Sequence, residues 1–599
     1  MATPHDIAFT LLEVAGLRSD VEAGRYGDLS ADLVEAVLSA AAEFATGEIE
    51  PLAASGDRQG ARLEDGEVRT PDGWPELYAR WRDAGWNGLA APAEHGGQGL
   101  PVALSAAVFE IWNSASMAFA IGPTLTVGAI EALLAHGSPM LKVRYLEKLV
   151  SGAWMGTMNL TEPQSGSDLS GLRTRAERQA DGSYRIFGHK IFITYGEHDW
   201  TDNIVHLVLA RLPDAPPGVK GISLFLVPKH LIEEDGSLGR RNDVVCASIE
   251  HKLGIHGSPT CTMIYGEGSA PGEAPGAVGW LIGEENRGLA CMFTMMNNAR
   301  LLVGVQGLGV AEAACRKAEA YASERRQGRA TRLVGGGAGT DESPIAQHPD
   351  VAAMLTTMKA LTGAARAIVY ACGLAADRAR AAQHPAEQRR WKARADLLTP
   401  VAKAFATDVG VEVASLGLQV HGGTGYIEET GAARLLRDAR IAPIYEGTNG
   451  IQAIDLVTRK LGLFDGAVFD DYHEEMAAIV DALRASADGG FDEMAEPLTG
   501  ALDDWRQATR FLQTCLAGGE TDTALAGATA YLRLFGLTAG TAYLAKGALV
   551  DAPGRGHRQA LARFAAVTLL AEASGLKRRI LQGAAVLQAA RLAVEEARP

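Results

Sequence analysis

The spacing of apolar residues changes along the chain, from helical spacing to continuous runs typical of strands. From Leu29 to Lys148 apolar residues recur at helical spacing, interrupted by glycine and proline clusters. This pattern predicts a helical N-terminal domain. Between Ser183 and Pro228 β-branched and aromatic runs follow turn signals such as Asp181-Gly182. These runs predict antiparallel strands that extend to about Tyr265.

Helical spacing returns at Gly288 and continues over very long segments. Segments of this length suit a helical bundle. The stretch from Gly328 to Pro344 is rich in glycine, which predicts a mobile connection between two bundle helices. After Phe464 the sequence is rich in alanine and leucine at helical spacing, so we expect a separate helical domain there.

Composition narrows the possible partners. The formal net charge is -16 and no stretch concentrates lysine and arginine, so a nucleic-acid partner has little electrostatic support. The six cysteines show no CxxC pair and no metal-type spacing with histidine. We therefore interpret them as reduced core thiols and expect no metal site.

The sequence also bears on localisation. The N-terminal segment contains the acidic residues Asp6 and Glu13, and it lacks the basic start and apolar run of a signal peptide. No apolar run approaches the roughly 20 residues of a membrane helix, so we expect no integral membrane segment. These features favour a cytoplasmic protein.

Two polar and glycine-rich segments are candidates for binding. Gly422-Gly423 would let a backbone approach a ligand closely, with the amide of Gln419 beside it, although a helix C-cap explains the same glycines. The loop from Asn159 to Asp168 carries hydroxyls and amides at a bend. By itself it is equally well explained as a polar ligand-binding loop or as a hydrophilic connection.

Seven segments in order carry a family resemblance. They are PAEHGGQG (Pro92 to Gly99), LTEPQSGSD (Leu160 to Asp168), GHKIFIT (Gly188 to Thr194), KLGIHGSPT (Lys252 to Thr260), ERRQGR (Glu324 to Arg329), LQVHGGTGY (Leu418 to Tyr426) and IYEGTNGIQ (Ile444 to Gln452). With these motifs the chain resembles the acyl-CoA dehydrogenases. Its length and C-terminal extension are most similar to the branch that includes methylmercaptopropionyl-CoA dehydrogenases and broad-range fatty acyl-CoA dehydrogenases.

The resemblance implies the fold class. It is a mainly helical protein with a β middle domain, made of an N-terminal helical domain, a β-barrel-like domain, a four-helix bundle with the catalytic glutamate and an additional C-terminal helical domain. The expected boundaries are residues 1–157, 158–285, 286–464 and 465–599.

The resemblance also implies that Glu446, the glutamate of the IYEGT segment, is the catalytic base. Removal of a proton next to a thioester carbonyl requires a carboxylate within hydrogen-bond reach, in a dry pocket that raises its pKa toward neutrality. Ile444 and Tyr445 beside it suit that requirement. A glutamate without this context would be better explained as a helix N-terminal residue that complements the dipole.

An FAD cofactor follows from the same resemblance. Similarity to the family places Thr161 and Ser167 at the ring and phosphate, and Phe192 and Thr194 along the isoalloxazine; the alternative for Phe192 is an ordinary strand core residue. No GxGxxG follows a strand, so FAD would be held between domains and subunits. The glycines of GVQGLG, Gly304, Gly307 and Gly309, are better explained by close helix packing.

Further residues are implied at a neighbouring subunit's FAD, which predicts a homodimer. They are Arg325, Gln327, Gln419, Gly422 and Gly423. Thr448 and Gln452 would complete the adenosine side. For Arg325 an exposed helix-end arginine is the alternative. Relatives usually have phenylalanine after the glutamine, where this chain has Gly328.

Some relatives carry the base on the long helix after the strand domain, immediately before an arginine. Here that pair is Ala299-Arg300, so this alternative base is absent. Arg300 becomes a candidate contact for CoA or for neighbouring loops, and a salt-bridged core arginine is an equal alternative.

We therefore expect an FAD-dependent acyl-CoA dehydrogenase of fatty acid β-oxidation and lipid metabolism that forms a 2,3-enoyl-CoA. The expected substrate is methylmercaptopropionyl-CoA or a short or medium fatty acyl-CoA, and the resemblance implies electron-transferring flavoprotein as the acceptor. The alternatives are an acyl-CoA oxidase that uses oxygen and a non-catalytic relative that only binds.

Overall fold

The computed structural model describes residues 3–268, 274–330, 342–486, 490–551 and 556–596. Most of the predicted connection from Gly328 to Pro344 lies outside these residues, at 331–341. The chain divides into two compact units. The mixed unit comprises Glu43–Leu100 and Ala115–Ala299, and the helical unit comprises Met1–Ala42, Pro101–Ser114 and Arg300–Pro599.

The strands lie in the mixed unit. In chain order they are β1 Arg62–Glu64, β2 Glu67–Arg69, β3 Met155–Asn159, β4 Arg175–Arg178, β5 Tyr184–Thr194, β6 Ile204–Arg211, β7 Ile222–Pro228, β8 His230–Ile232, β9 Leu238–Arg241, β10 Val244–Ile249, β11 Thr260–Tyr265 and β12 Ala277–Ile282. They extend beyond Tyr265, where we expected them to end, because β12 completes the main sheet.

The main sheet closes on itself. Neighbouring strands pair in the order β5, β12, β7 and β6, and β4 pairs with both β5 and β6. Outside this ring, β3 adds to β6, and β11 and β10 add to β5. The β-barrel-like prediction is confirmed, whereas the purely antiparallel one is wrong: β3 runs parallel to β6, and β4 meets β6 in a parallel pair.

The sequences of β6 and β7 are nearly continuous apolar runs because both faces of these strands are buried. Leu207 and Leu226 belong to one buried cluster, which includes Leu149 of a flanking helix. Val208 and Phe225 point into a second cluster. This double burial fixes the register of the strands that frame the loops after β3 and β5.

The helices account for most of the chain. In order they are α1 Pro4–Phe9, α2 Leu17–Glu22, α3 Ala31–Phe44, α4 Glu50–Gln59, α5 Trp74–Asp83, α6 Val102–His136, α7 Pro139–Val150, α8 Gly288–Glu324, α9 Pro349–Ala381, α10 Pro385–His421, α11 Ala432–Ala439, α12 Asn449–Asp455, α13 Ala467–Ala485, α14 Asp492–Ala517, α15 Thr521–Val550, α16 His557–Phe564 and α17 Glu572–Glu596.

Within the helical unit, α8 packs closely on α10. A Cβ on Gly304 would lie 2.5 Å from the main-chain oxygen of Ala402, and one on Gly307 would lie 2.6 Å from that of Ala406. A Cβ on Gly309 would lie 2.6 Å from Asn113 Cβ. Close packing therefore explains the glycines of GVQGLG, as the sequence predicted.

The helices after Phe464 pack on this bundle. A Cβ on Gly540 of α15 would lie 2.6 Å from the Cβ of Ala364 on α9, and one on Gly536 would meet the ring of Phe405 on α10. The additional helices are present as predicted, and they lie in the same compact unit as the bundle. The four domain boundaries stay predictions.

One described helix, α6, is long and apolar enough to cross a membrane by length and composition. Its best 18-residue window has a mean hydropathy of 1.6, so our expectation that no apolar run reaches membrane length was wrong. However, 83% of that window is buried inside the protein. Packing against protein thus accounts for its apolar composition.

Candidate active site

Glu446 lies in an irregular loop between α11 and α12, in a strained backbone conformation. Its φ is 55°, in the left-handed region that non-glycine residues seldom adopt. Gly447 follows with a φ of 82°. Such strain costs about 1–3 kcal/mol and persists only where the surroundings hold it, most often at functional sites.

Side-chain and main-chain hydrogen bonds hold this loop. The hydroxyl of Tyr445 donates to Oε1 of Gln306 on α8. The main-chain nitrogen of Asn449 donates to the oxygen of Pro443 over 2.9 Å, which closes the loop on itself. The Gln452 amide donates to the main-chain oxygens of Glu446 and Gly447, each over 3.4 Å.

These contacts concern two residues that were predicted at the adenosine side, Gln452 and Thr448. Gln452 is fully buried beneath the loop, so its side chain supports Glu446 and does not reach an adenosine group as predicted. Thr448 is the N-cap of α12, where its hydroxyl accepts from the main-chain nitrogen of Ile451 over 3.2 Å. That bond gives a partner to a main-chain N–H of the first helical turn, which otherwise has none within the helix. The predicted adenosine contact of Thr448 stays a prediction.

The electrostatics of Glu446 suit a base. Burial raises the pKa of Glu446 to about 7, although the positive charges of Arg300 and Lys403 act in the opposite direction. A carboxylate with a pKa near neutrality is matched to proton abstraction at physiological pH.

Arg300 lies at the same loop. It is 8% exposed, and burial lowers its pKa, while Asp455 and Glu446 favour its charged form. A Cβ on Gly447 would lie 3.9 Å from its Nη2. Of the roles considered, the structure supports a contact with a neighbouring loop; a contact with CoA stays a prediction.

Sequence reasoning missed Lys403 and Asn449. Lys403 is fully buried on α10, and its ammonium donates to Oδ1 of Asn449 over 2.8 Å. Burial lowers the pKa of Lys403 to about 7, against the attraction of Glu446 and Asp408. The only sequence signal was a lysine inside an otherwise apolar helical run, VAKAFA, which points to an unusual environment.

The predicted flavin residues of the mixed unit lie on two neighbouring segments, the loop after β3 and the end of β5. The main-chain nitrogen of Ile191 donates to the oxygen of Thr161 over 2.9 Å, which joins the loop after β3 to the end of β5. Phe192 has a φ of 62° and is 58% exposed, so it is not a strand core residue. Thr194 pairs with Thr260 on β11. Ser167 is exposed on the same loop as Thr161.

A buried ion pair holds that loop to β5. Glu162 lies 2.8 Å from Nζ of Lys190, and both side chains are buried. The Glu162 carboxylate also accepts from the main-chain nitrogens of Arg173 and Thr174. Although burial raises the pKa of Glu162, Lys190 and these donors lower it to about 2. Glu162 is a third residue whose role the motifs did not predict.

The remaining predicted residues meet at one end of the bundle. Arg325 follows α8, and its Nη2 donates to Oε1 of Gln327 over 3.2 Å. Gly422, with a φ of 60°, is the C-cap of α10, so the capping interpretation is correct. Gln419, Gly422 and Gly423 are nevertheless exposed, and a Cβ on either glycine would meet nothing within 4 Å.

Tyr321 links the two segments of this end. Its ring stacks on His421 with centroids 4.6 Å apart, and its hydroxyl accepts from Thr424 over 3.1 Å. The main-chain oxygen of Tyr321 also accepts from the nitrogen of Arg325. Sixteen residues of α10 separate Gln419 from Lys403, about 24 Å at helical rise.

The residues present fit FAD. In the mixed unit an exposed aromatic ring, Phe192, stands with the hydroxyl-bearing Thr161 and Thr194, which suits a flat polar heterocycle. In the helical unit the guanidinium of Arg325 and the open backbone of Gly422 and Gly423 suit a pyrophosphate.

A cavity of about 270 Å³ lies elsewhere in the helical unit. It is lined by Ala386, Arg389, Arg390, Trp391, Arg394, Phe464, Ala467, Val468 and Asp471. Arg394 pairs with Glu475 over 2.6 Å, and Arg390 lies 3.7 Å from Asp471. Glu446 does not line it, so we assign it no part in the chemistry.

Four family models match the chain. They are described as the acyl-CoA dehydrogenase N-terminal domain (residues 32–153), middle domain (157–267) and C-terminal domain (286–461), and an acetyl-CoA dehydrogenase C-terminal-like domain (472–590). Together they cover most of the mixed unit and most of the helical unit. They confirm the family resemblance and the predicted fold class, including the additional C-terminal region.

Curated relatives and solved structures agree with these models. A 3-methylmercaptopropionyl-CoA dehydrogenase of Ruegeria pomeroyi is 46% identical, over 89% of this chain and 88% of that protein. A broad-specificity linear acyl-CoA dehydrogenase, FadE5, of Mycobacterium tuberculosis is 32% identical over 83% of each chain. The solved structure of an acyl-CoA dehydrogenase complexed with FAD from Bacillus anthracis matches with a TM-score of 0.73 at 22% identity, covering 96% of this chain and 92% of that one.

Proposed function

The chain belongs to the acyl-CoA dehydrogenase family, and from this premise we propose that Glu446 is the base of an FAD-dependent acyl-CoA dehydrogenase. One observation carries the assignment. Glu446 is held in a left-handed conformation in a loop fixed from both sides, and burial raises its pKa to about 7. A strained carboxylate with a near-neutral pKa is the arrangement that removal of an α-proton from a thioester requires.

The surrounding residues prepare this carboxylate. Arg300 and Lys403 favour the ionised form that accepts the proton, whereas burial favours the neutral form that holds it afterwards. The two influences balance near neutrality, so both forms are accessible. Gln452 and Tyr445 fix the loop, which keeps the carboxylate in one place while the proton moves.

FAD, when bound, supplies the acceptor for the hydride that leaves the β-carbon. We propose that Thr161, Ser167, Phe192 and Thr194 of the mixed unit hold its flavin end, and that the product is a 2,3-enoyl-CoA. The Glu162–Lys190 pair and the main-chain bond from Ile191 to Thr161 join the Thr161 loop to β5, the strand that carries Phe192, so this part of the site is preorganised.

We propose methylmercaptopropionyl-CoA or a short to medium fatty acyl-CoA as the substrate. Support comes from the 46% identity to a 3-methylmercaptopropionyl-CoA dehydrogenase, compared with 32% to the broad-specificity relative. Both substrates share a CoA thioester with an adjacent CH–CH bond, which is what a single base and a flavin can oxidise. The reaction belongs to fatty acid β-oxidation and related lipid metabolism.

We further propose a homodimer in the cytoplasm, with electron-transferring flavoprotein as the acceptor. The family resemblance implies that Arg325 and Gly422 contact the FAD of a second copy of the chain, and this end lies about 24 Å along α10 from Lys403 at helical rise. A homodimer pairs identical surfaces and places each such end at the other subunit.

The test is anaerobic titration of the purified holoprotein with a panel of acyl-CoAs, following bleaching of the oxidised flavin band. Wild type should bleach, and Glu446→Gln should bind FAD without bleaching. Equal bleaching by both proteins would remove Glu446 from the role of base, and a protein without flavin would overturn the dehydrogenase assignment.

Peroxide formed in air at the rate of turnover would indicate an acyl-CoA oxidase, and a wild-type holoprotein that binds acyl-CoA without bleaching would indicate a binding protein.

A further inference from the structure

Lys403 brings a buried positive charge next to the Glu446 loop. Its side chain is fully buried in α10, and its ammonium donates to Oδ1 of Asn449 over 2.8 Å. A lysine is almost never fully buried unless it is paired, because removing its charge from water is costly. A neutral amide as its hydrogen-bond partner suggests that the charge is retained for something that it faces.

The Asn449 side chain lies between Lys403 and Asp408. Its Nδ2 donates to Oδ1 of Asp408 over 2.7 Å and to the main-chain oxygen of Ala404 over 3.1 Å. A main-chain oxygen can only accept, so Ala404 must face the amide nitrogen, which turns Oδ1 of Asn449 toward Nζ of Lys403. Asn449 is therefore locked between Lys403 and Asp408.

The fixed position of Asn449 also restrains the segment that contains Glu446. The main-chain nitrogen of Asn449 donates to the oxygen of Pro443 over 2.9 Å, which spans the segment that contains Glu446. Fixing Asn449 on α10 therefore fixes both ends of the segment. Gln452 supports the same segment from α12. The left-handed backbone of Glu446 thus rests on two side chains, one anchored by Lys403.

We propose that Lys403 is a positioning residue for the Glu446 base: it anchors the loop through Asn449 and supplies the positive charge that keeps the Glu446 carboxylate ionised. This inference rests on the proposed role of Glu446. It gives the buried lysine two separable contributions, a hydrogen bond and a charge.

The charged groups around this pair come from several elements. Arg300 of α8 acts on Glu446 with the same sign as Lys403. Asp408 of α10 attracts Lys403, and Asp455 of α12 and Arg459 act on Arg300. Lys403 is therefore one of two positive charges on Glu446, and without it Glu446 holds its proton to higher pH.

Two variants separate the contributions. Lys403→Met removes both the donor and the charge, and Lys403→Gln keeps a donor for Asn449 while removing the charge. Lys359→Met is the matched control, because Lys359 is an exposed lysine of the bundle that pairs with Glu319. Circular dichroism and flavin content check that each protein is folded and loaded.

The decisive readout is the infrared band of the protonated Glu446 carboxyl, identified as the band absent from Glu446→Gln and followed against pH. We expect its midpoint to rise by about 1 pH unit in both Lys403 variants and to stay in place in Lys359→Met. The acid limb of the bleaching rate should move by the same amount. The rate plateau at high pH should fall at least tenfold in Lys403→Met and stay near wild type in Lys403→Gln.

The outcomes are distinguishable. A midpoint unchanged in both Lys403 variants overturns the inference, whatever the activity. Bleaching by Glu446→Gln overturns the proposed function, while the infrared titration still reports on Lys403. If neither variant folds, the reciprocal titration decides: an isotope-labelled Lys403 should titrate at lower pH in Glu446→Gln than in wild type, and an unchanged titration overturns the coupling.

Discussion

Gln452 holds the main chain of Glu446 from below: its Nε2 donates to the Glu446 oxygen over 3.4 Å from a fully buried position. Gln452→Leu keeps the volume and removes the donor. We expect a loss of about 1 kcal/mol in the free energy of unfolding, typical of one hydrogen bond, and a larger fall in bleaching rate because the base is less well positioned.

Chemical denaturation and stopped-flow bleaching measure these two effects. Gln513→Leu is the control, since Gln513 also donates to a main-chain oxygen, that of Leu461, away from the loop. If both variants lose activity equally, the special role of Gln452 is contradicted.

Gly447 should tolerate no side chain. Its φ is 82°, and a Cβ would lie 2.6 Å from Nε2 of Gln452. Gly447→Ala should therefore lower the free energy of unfolding by at least about 1 kcal/mol and displace Gln452. Gly450→Ala, three residues on in α12 with its nearest neighbour at 3.7 Å, should be neutral or slightly stabilising. Thermal unfolding of both variants checks the contrast.

The Glu162–Lys190 pair predicts acid sensitivity of the mixed unit. The pKa of Glu162 is lowered to about 2 from its ordinary value of 4.5, so its contribution to stability is present above pH 4.5 and is lost as pH falls toward 2. Glu162→Gln should be less stable at pH 7 and should lose less further stability in that window. Glu64→Gln, an exposed glutamate of β1, should keep the wild-type profile. Parallel acid profiles for wild type and Glu162→Gln would contradict the linkage.

Phe192 should contribute more to FAD binding than to the stability of the folded chain. It is 58% exposed, so Phe192→Ala should change the melting temperature of flavin-free protein little while weakening FAD retention about tenfold, as expected for the loss of one aromatic contact. Phe464→Ala is a close control, because Phe464 is also exposed, at 57%, and has a φ of 50°. Flavin fluorescence released on dilution measures retention. Equal FAD loss in the two variants would count against the placement.

A mixed dimer tests the proposed use of Arg325 by a neighbouring subunit. Arg325→Glu and Glu446→Gln should each abolish activity alone. Coexpression should restore it in part, because one site of the mixed dimer combines an intact Glu446 with the partner's intact Arg325. Arg326→Glu, whose Nη1 donates to the main-chain oxygen of Glu342, should remain active alone. No recovery on coexpression would contradict the shared site.

The sequence predicted the broad fold because long helical spacing and β-branched runs are local signals. It did not predict that β3 runs parallel to β6, since parallel pairing depends on contacts far apart in the chain. It also assigned Gln452 to the cofactor, because a motif indicates that a residue matters and not which way its side chain points. Burial alone revealed that Gln452 supports the loop.

Lys403 and Glu162 show the limit of motif reading for the site. Neither is a motif residue with a role carried over from relatives, and each acquires its place from a partner distant in sequence: Asn449 for Lys403 and Lys190 for Glu162. Burial lowers the pKa of Lys403, whereas Lys190 and hydrogen-bond donors lower that of Glu162 against the effect of burial. Burial is a property of the folded chain, so only the structure could identify them.

The most direct test of Glu446 as the base follows the α-proton itself. An acyl-CoA carrying deuterium at the α-carbon is incubated anaerobically with holoprotein, and loss of label to water is followed by mass spectrometry. Wild type should release the label, with a rate that rises as pH passes about 7, and Glu446→Gln should release at least about a hundredfold less. Label release by Glu446→Gln at the wild-type rate would contradict the account.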